Sequence, residues 1–209
     1  MISCKLHKID NEDDMKTKIN SDLPIDIKIF SKFTLLKIEI IEVSKSFDAK
    51  DSNNNREYHY ILPSFCLKPK ALDKYLHDGK DNLENFKGDY NFKITPEYHE
   101  KIMNICKFYK GTKKYHNYTK KMSFSDESTN RHIYELTCNE LIENESFQAI
   151  KFKIIGQSFL YNQIRKMIGF IIQICREELD SNVILHSFYS NKMDIPKAPA
   201  EGLYLYKVI

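Results

Sequence analysis

The sequence predicts an α+β fold, a mostly antiparallel sheet flanked by helices. Three observations carry that expectation. His132, Tyr134, Leu136 and Cys138 recur at every second position, as do Ile150, Phe152 and Ile154, which is the period of a strand with one buried face. Leu160, Ile164, Met167, Ile168, Ile171, Ile174 and Cys175 recur at i, i+3 and i+4, which makes one stripe of a helix. The second of those strands feeds directly into that helix, so the chain mixes the two periods at short range.

The elements follow in chain order. Ile2, Cys4 and Leu6 alternate with polar residues as a strand. Met15, Ile19 and Leu23 recur every fourth residue behind Glu12, Asp13 and Asp14, an acidic start that suits a helix N-terminus, and Pro24 ends it. Ile25 to Val43 is β-rich, and a polar loop runs from Asp48 to Asn55. Arg56 to Leu62 reads as the return strand, with Tyr58 and Tyr60 on one face and His59 and Ile61 on the other. Those tyrosines either line a site or are amphipathic sheet residues with wet hydroxyls. Leu67 to Tyr90 reads as a short helix and a loop. Thr95 and Pro96 make an N-cap and first-turn pair for a helix carrying Tyr98, Ile102, Ile105 and Tyr109, which Gly111 stops. Met122 to Asn130 is a polar connector expected to be mobile. A second amphipathic helix, Asn182 to Tyr189, leads past Pro196 and Pro199 to a closing strand, Leu203 to Val208. With no repeat or linker visible, a boundary near Lys93 to Thr95 is the only division suggested.

Composition narrows the function classes. The chain of 209 residues carries a net charge of only +3, yet every charged residue from Lys107 to Lys121 is a lysine: 107, 110, 113, 114, 120 and 121. Tyr109, Tyr115 and Tyr118 interleave with them. This pattern suits a groove that tracks a polyanion backbone with stacking platforms, or else a solvated loop. The five cysteines are scattered without a CxxC pair, which indicates neither zinc nor a disulfide framework. Cys4, Cys138 and Cys175 fit small buried hydrophobes in a reducing compartment, and no cysteine has a histidine partner in a recognisable nucleophilic pattern. No span has the length of a membrane helix and the start lacks a secretory h-region, so a soluble, intracellular protein with no membrane partner is expected.

Arg165 stands just off the apolar stripe of its helix, with Gly169 four residues on and therefore on the same side. A mid-helix glycine costs roughly 1 kcal/mol against alanine. Its bare backbone leaves room for a ligand or a strand to approach. The arginine itself either snorkels to the surface or pairs with a core-edge carboxylate, or it meets an anionic ligand.

The run Gln157 to Gly169, QSFLYNQIRKMIG, resembles the arginine motif of tRNA pseudouridine synthases of the TruA type, in their eukaryotic branch. Four further stretches agree in order and spacing. They are Lys18 to Pro24, Phe47 to Lys50 followed by Arg56-Glu57-Tyr58, Gly111-Thr112 followed by His116-Asn117-Tyr118-Thr119, and Ala198 to Leu205. The resemblance covers nearly the whole chain. It implies a TruA-like fold and a cofactor-free, metal-free isomerisation of uridine to pseudouridine in tRNA, with other structured RNA left open. The uracil would be cut from C1′, turned and rejoined through C5 in a cleft holding the flipped nucleotide.

By that resemblance, Arg165 would pair with the essential aspartate of an R-T-D-x-G-V loop, hold it ionised and touch the RNA phosphate. Tyr58 would stack on the base and assist proton movement at C5, and Leu203 would pack on the other side of the uracil. His116 and Asn117 would hold the RNA or insert against it, and Tyr161 and Gln163, inside the arginine motif, would bind substrate. Lys113, Lys114, Lys120 and Lys121 would meet the RNA backbone, although Lys113 stands where the family usually has a histidine. The resemblance also implies a nuclear location and, for the eukaryotic type, favours a monomer without deciding the oligomeric state.

No R-T-D-x-G-V occurs in the chain, and Asp10, Asp13 and Asp14 stand in the wrong context to replace its aspartate. The expectation is therefore an N-terminally truncated piece of a longer enzyme, inactive alone, with residues 1–94 the remainder of a catalytic half and 95–209 a C-terminal half. It should show an exposed sheet edge or apolar patch where the missing strands belong. Arg165 should face an unfinished cleft, held by water, a small anion or a stand-in carboxylate. The alternative function is a non-catalytic RNA-binding module that keeps the cleft, with Arg165 as a phosphate ligand.

Overall fold

A computed structural model describes Ser21 and residues 55–70, 91–143 and 147–208. The elements expected between Ile2 and Val43, the loop Asp48 to Asn54 and most of Leu67 to Tyr90 lie outside the described residues. The chain divides into two compact units, Met1–Asn53 and Asn54–Ile209. The division therefore differs from the one expected at Lys93 to Thr95, because the strand Arg56–Pro63 is built into the same sheet as the elements that follow residue 95.

That sheet has five strands: β1 (Arg56–Pro63), β2 (Gly111–Lys114), β3 (Asn130–Glu143), β4 (Gln148–Gly156) and β5 (Leu203–Val208), in the order β2-β3-β4-β1-β5. Every neighbouring pair is antiparallel, as the sequence predicts. Among the described residues helices α1 (Pro96–Lys107) and α2 (Gln163–Glu177), with the short α3 (Val183–His186), accompany the sheet. Thr95 caps α1 by accepting from the Tyr98 amide at 3.2 Å, and Pro96 occupies its first turn. Helix α1 ends at Lys107 rather than running to Gly111, whose φ of +98° instead opens β2. Of the expected helix Asn182 to Tyr189, one turn forms, Val183–His186.

One face of the sheet carries Tyr60, Leu62, Leu136, Cys138, Ile150, Phe152 and Ile154 into the core shared with Ile102 and Ile105 of α1 and Ile164, Met167, Ile168 and Ile171 of α2. The other face is polar: Glu57 pairs with His59 at 2.7 Å, Lys153 with Glu135 at 3.2 Å, and Lys151 with Glu140. The alternation of β3 is broken where the register against β4 shifts between Ile133 and Glu135. The extra residue flips the parity, so Ile133 faces inward and Tyr134 stands exposed, while Leu136 and Cys138 return to the core. Among the described strands β5 is an edge, and Leu205 and Tyr206 are exposed on it. The connector Met122 to Asn130 is organised around Asp126. Its carboxylate accepts from the Ser123 amide at 2.7 Å, and its carbonyl accepts from the Thr129 amide at 3.0 Å.

Cys106, Cys138 and Cys175 are fully buried, whereas Cys66 is half-buried, and burial pushes its thiol up to about 11. Native-state alkylation followed by mass spectrometry should therefore label Cys66 first among the described cysteines. The reaction should be slow at pH 8 and quicken about tenfold per pH unit towards pH 11, because the thiolate is the nucleophile. Equal labelling of Cys66 and Cys138 would contradict this. The raised pKa also makes the fold lose stability as the pH rises from the ordinary thiol value of 9.0 towards 11, since over that window the unfolded chain releases the proton and the folded one keeps it.

Candidate functional site

Helix α2 starts at a left-handed residue, Asn162, with φ of +64° and no side-chain cap of its own. Gln163 supplies the bond instead, its Oε1 accepting from the Leu160 amide at 2.8 Å. Arg165 therefore projects from the first turn, half-buried. Its Nε donates to the Ala198 carbonyl at 2.8 Å, and the Ala198 amide donates back to the Arg165 carbonyl at 3.0 Å. The segment Pro196 to Pro199 thus lies along α2 as a strap. Gly169 makes that approach possible, because a Cβ there would stand 2.2 Å from the Pro196 carbonyl oxygen. The strap's far end is held by the Tyr60 hydroxyl, which donates to the Pro199 carbonyl at 2.9 Å. Burial pushes the Tyr60 hydroxyl up to about 12, with the Arg165 charge pulling in the opposite direction.

Among the described residues no carboxylate pairs with Arg165, and its tether is a backbone carbonyl rather than the stand-in carboxylate expected. Because that carbonyl takes only Nε, the four N–H bonds on the two terminal nitrogens stay available to an anion. Tyr58 and Leu203 come to the same side of the sheet. Tyr58 shares its face with Tyr60 and meets Phe159 edge-on at 5.3 Å, and Leu203 pairs directly with Tyr60 across β1 and β5. Gly202 lets β5 close on this point, since a Cβ there would stand 2.5 Å from the Ile61 carbonyl. Tyr58 and Leu203 thus share a face of the sheet with Tyr60, whose hydroxyl holds the strap that tethers Arg165.

The basic segment is built differently from the expectation. Tyr109, Tyr115 and Tyr118 are fully buried and form one aromatic cluster with Phe188, at centroid distances of 5.3 to 6.1 Å. Their hydroxyls bond inward: Tyr115 to the Tyr109 carbonyl at 3.0 Å, and Tyr118 to Ser187 Oγ at 2.7 Å. They are core rings, and no face is left on which a base could stack. Lys113 turns its amine to the Lys110 carbonyl and over the Phe188 ring, and burial lowers its pKa. Lys114 pairs with Glu127 at 3.2 Å. Of the four lysines assigned to RNA, Lys120 and Lys121 are exposed, without such partners among the described residues.

Asn117 and Gln163 are corrected in the same way. Asn117 is buried, donates to the carbonyls of Ser187 and Asn191 at 2.9 and 3.0 Å, and accepts from the Met193 amide at 2.9 Å. All of its bonding is spent bracing the chain after α3. Asn117→Ala should cost about 3 kcal/mol, since it strands two carbonyls and an amide. A denaturant midpoint unchanged from wild type would contradict this. Gln163 is fully buried and serves the helix start. His116 is also buried, edge-on to Phe124 at 5.3 Å, while Tyr161 is 72% exposed and open to a partner.

Two features escaped the sequence reading. Lys166 points back from α2 to the carbonyls of Asn117 and Thr119, at 2.9 and 3.4 Å, and ties the basic segment to the arginine helix. The strap Pro196 to Pro199 was read only as a passage between elements. The two prolines three residues apart were its available signal. Among the described residues no cluster of His, Cys, Asp or Glu is arranged to hold a metal, and no helix is long and apolar enough to cross a membrane.

Residues 105–209 match the family described as tRNA pseudouridine synthase. The chain is 31% identical over 196 residues to the mouse protein named Pseudouridylate synthase 1 homolog, covering 94% of this chain and 41% of that protein. It is 27% identical over 271 aligned positions to tRNA pseudouridine synthase 1 of Saccharomyces cerevisiae, covering 98% of this chain and 48% of that protein. The chain therefore spans less than half the length of these relatives.

Proposed function

Because the chain belongs to the tRNA pseudouridine synthase family, we propose that it supplies the arginine side of a site that isomerises uridine to pseudouridine in tRNA. The nucleophilic aspartate would come from outside these 209 residues. The observation that carries this reading is the fixing of Arg165 through Nε, the one guanidinium nitrogen bonded among the described residues, on the side of the sheet that holds Tyr58 and Leu203. A guanidinium so held offers its terminal nitrogens to a carboxylate, which it keeps ionised and in one orientation. Tyr58 and Leu203 would bracket the uracil. In the reaction the bond from C1′ to N1 breaks, a bond from C1′ to C5 forms, C5 loses its proton to water and N1 takes one up from water.

That lost proton supplies the test. tRNA carrying tritium at C5 of its uridines should bind the 209-residue chain without releasing tritium, and should release it when the chain is joined to an R-T-D-x-G-V segment of the family. Binding with no release from the joined protein would favour the alternative, a non-catalytic RNA-binding module. Absence of binding would sink both.

A further inference from the structure

Three lysines from separate parts of the sequence are tethered to the turn that carries Arg165. Lys166 is the next residue on α2, and its amine is held by the carbonyls of Asn117 and Thr119. Lys120 follows Thr119, whose hydroxyl also donates to the Tyr161 carbonyl at 3.0 Å. Lys197 precedes Ala198, which bonds Arg165 in both directions. Lys120 and Lys197 are exposed; burial first, and then their charges, hold the Lys166 ammonium below its usual range. Asp194 is the one carboxylate acting there in the opposite sense. Lys120 and Lys197 each act on Lys166, and like charges gathered in this way repel one another until a polyanion is laid across them.

We propose that Lys120, Lys166 and Lys197 form a phosphate-binding rim around Arg165, along which the RNA backbone runs past the exposed ring of Tyr161. The rim rests on the reading of the chain as a tRNA-binding protein. It carries the RNA footprint beyond the basic segment Lys107 to Lys121 and onto a surface assembled from three parts of the sequence. Lys166 is a positioning residue as well as a cation, since its amine also locks the Asn117 to Thr119 turn.

Filter binding of unmodified tRNA to the 209-residue chain, across a salt series, tests the rim. Lys120→Glu with Lys197→Glu, both at exposed positions, should weaken binding roughly tenfold and lower the salt slope by about two. Asp194→Asn should tighten binding by about threefold. Lys107→Glu with Lys110→Glu changes the charge equally on another exposed stretch and should weaken binding less than threefold. Equal loss from the two double variants, or no loss from the first while wild type binds, overturns the rim and leaves the tRNA reading standing. Failure of the wild-type chain to bind tRNA at low salt overturns both.

Discussion

Arg165→Ala in a catalytically complete form of the protein should reduce tritium release from tRNA by a factor on the order of 10² to 10³ or more, while tRNA affinity changes by less than about threefold. The asymmetry follows from where the charge sits. Arg165 is half-buried, its Nε is already satisfied by the Ala198 carbonyl, and its terminal nitrogens are the groups left for a carboxylate. Removing it leaves that carboxylate unpaired and free to rotate, whereas the phosphate-facing charge of Lys120 and Lys197 is untouched. Arg165→Lys should rescue little, because a lysine has no Nε donor for Ala198 and no planar fork. Near-normal release by either variant would remove Arg165 from the reaction.

Gly169→Ala should cost about 3 kcal/mol and detach the strap. The methyl group would meet the Pro196 carbonyl oxygen at 2.2 Å and the Ala198 amide nitrogen at 3.0 Å, and both belong to backbone that cannot rotate away. Overpacking of this kind costs about 1–3 kcal/mol by itself. Displacing the strap also breaks the two bonds between Arg165 and Ala198 and the bond from Tyr60 to Pro199. The readout is double: a lowered denaturant midpoint, and loss of the slowly exchanging Arg165 Nε proton in the NMR spectrum of the folded variant. An Nε proton still protected in Gly169→Ala would show that the strap does not hold the guanidinium.

Much of the fold was legible because short-range periods report which face is wet. The strands at Arg56, Gln148 and Leu203, the cap at Thr95 and the stripe of α2 all follow from spacing alone. The errors share one cause. A period fails where the chain inserts a residue, as between Ile133 and Glu135, where the register shift places Tyr134 outside the core pattern that His132, Leu136 and Cys138 suggested. Interleaved residue types mislead in the same way: from Lys107 to Lys121 the three tyrosine rings point inward while Lys107, Lys110, Lys120 and Lys121 stay exposed, so one stretch is both core and surface. Asn117 and Gln163 look like ligand-binding amides in sequence, but their partners lie 70 and 3 residues away, and only the first needed a fold to exist.

By itself, the sequence determined that an arginine and a glycine share one side of a helix and that a strand feeds that helix. Those are properties of spacing along one segment, set by the 3.6 and 2.0 periods. Only the tertiary structure decided what the pair is for. Gly169 is bare because the strap of Pro196 to Pro199 presses on it, and Arg165 is aimed because Ala198, 33 residues later, holds its Nε. Contacts across such distances depend on how layers close over the core, and burial rather than sequence proximity chooses which polar groups must meet.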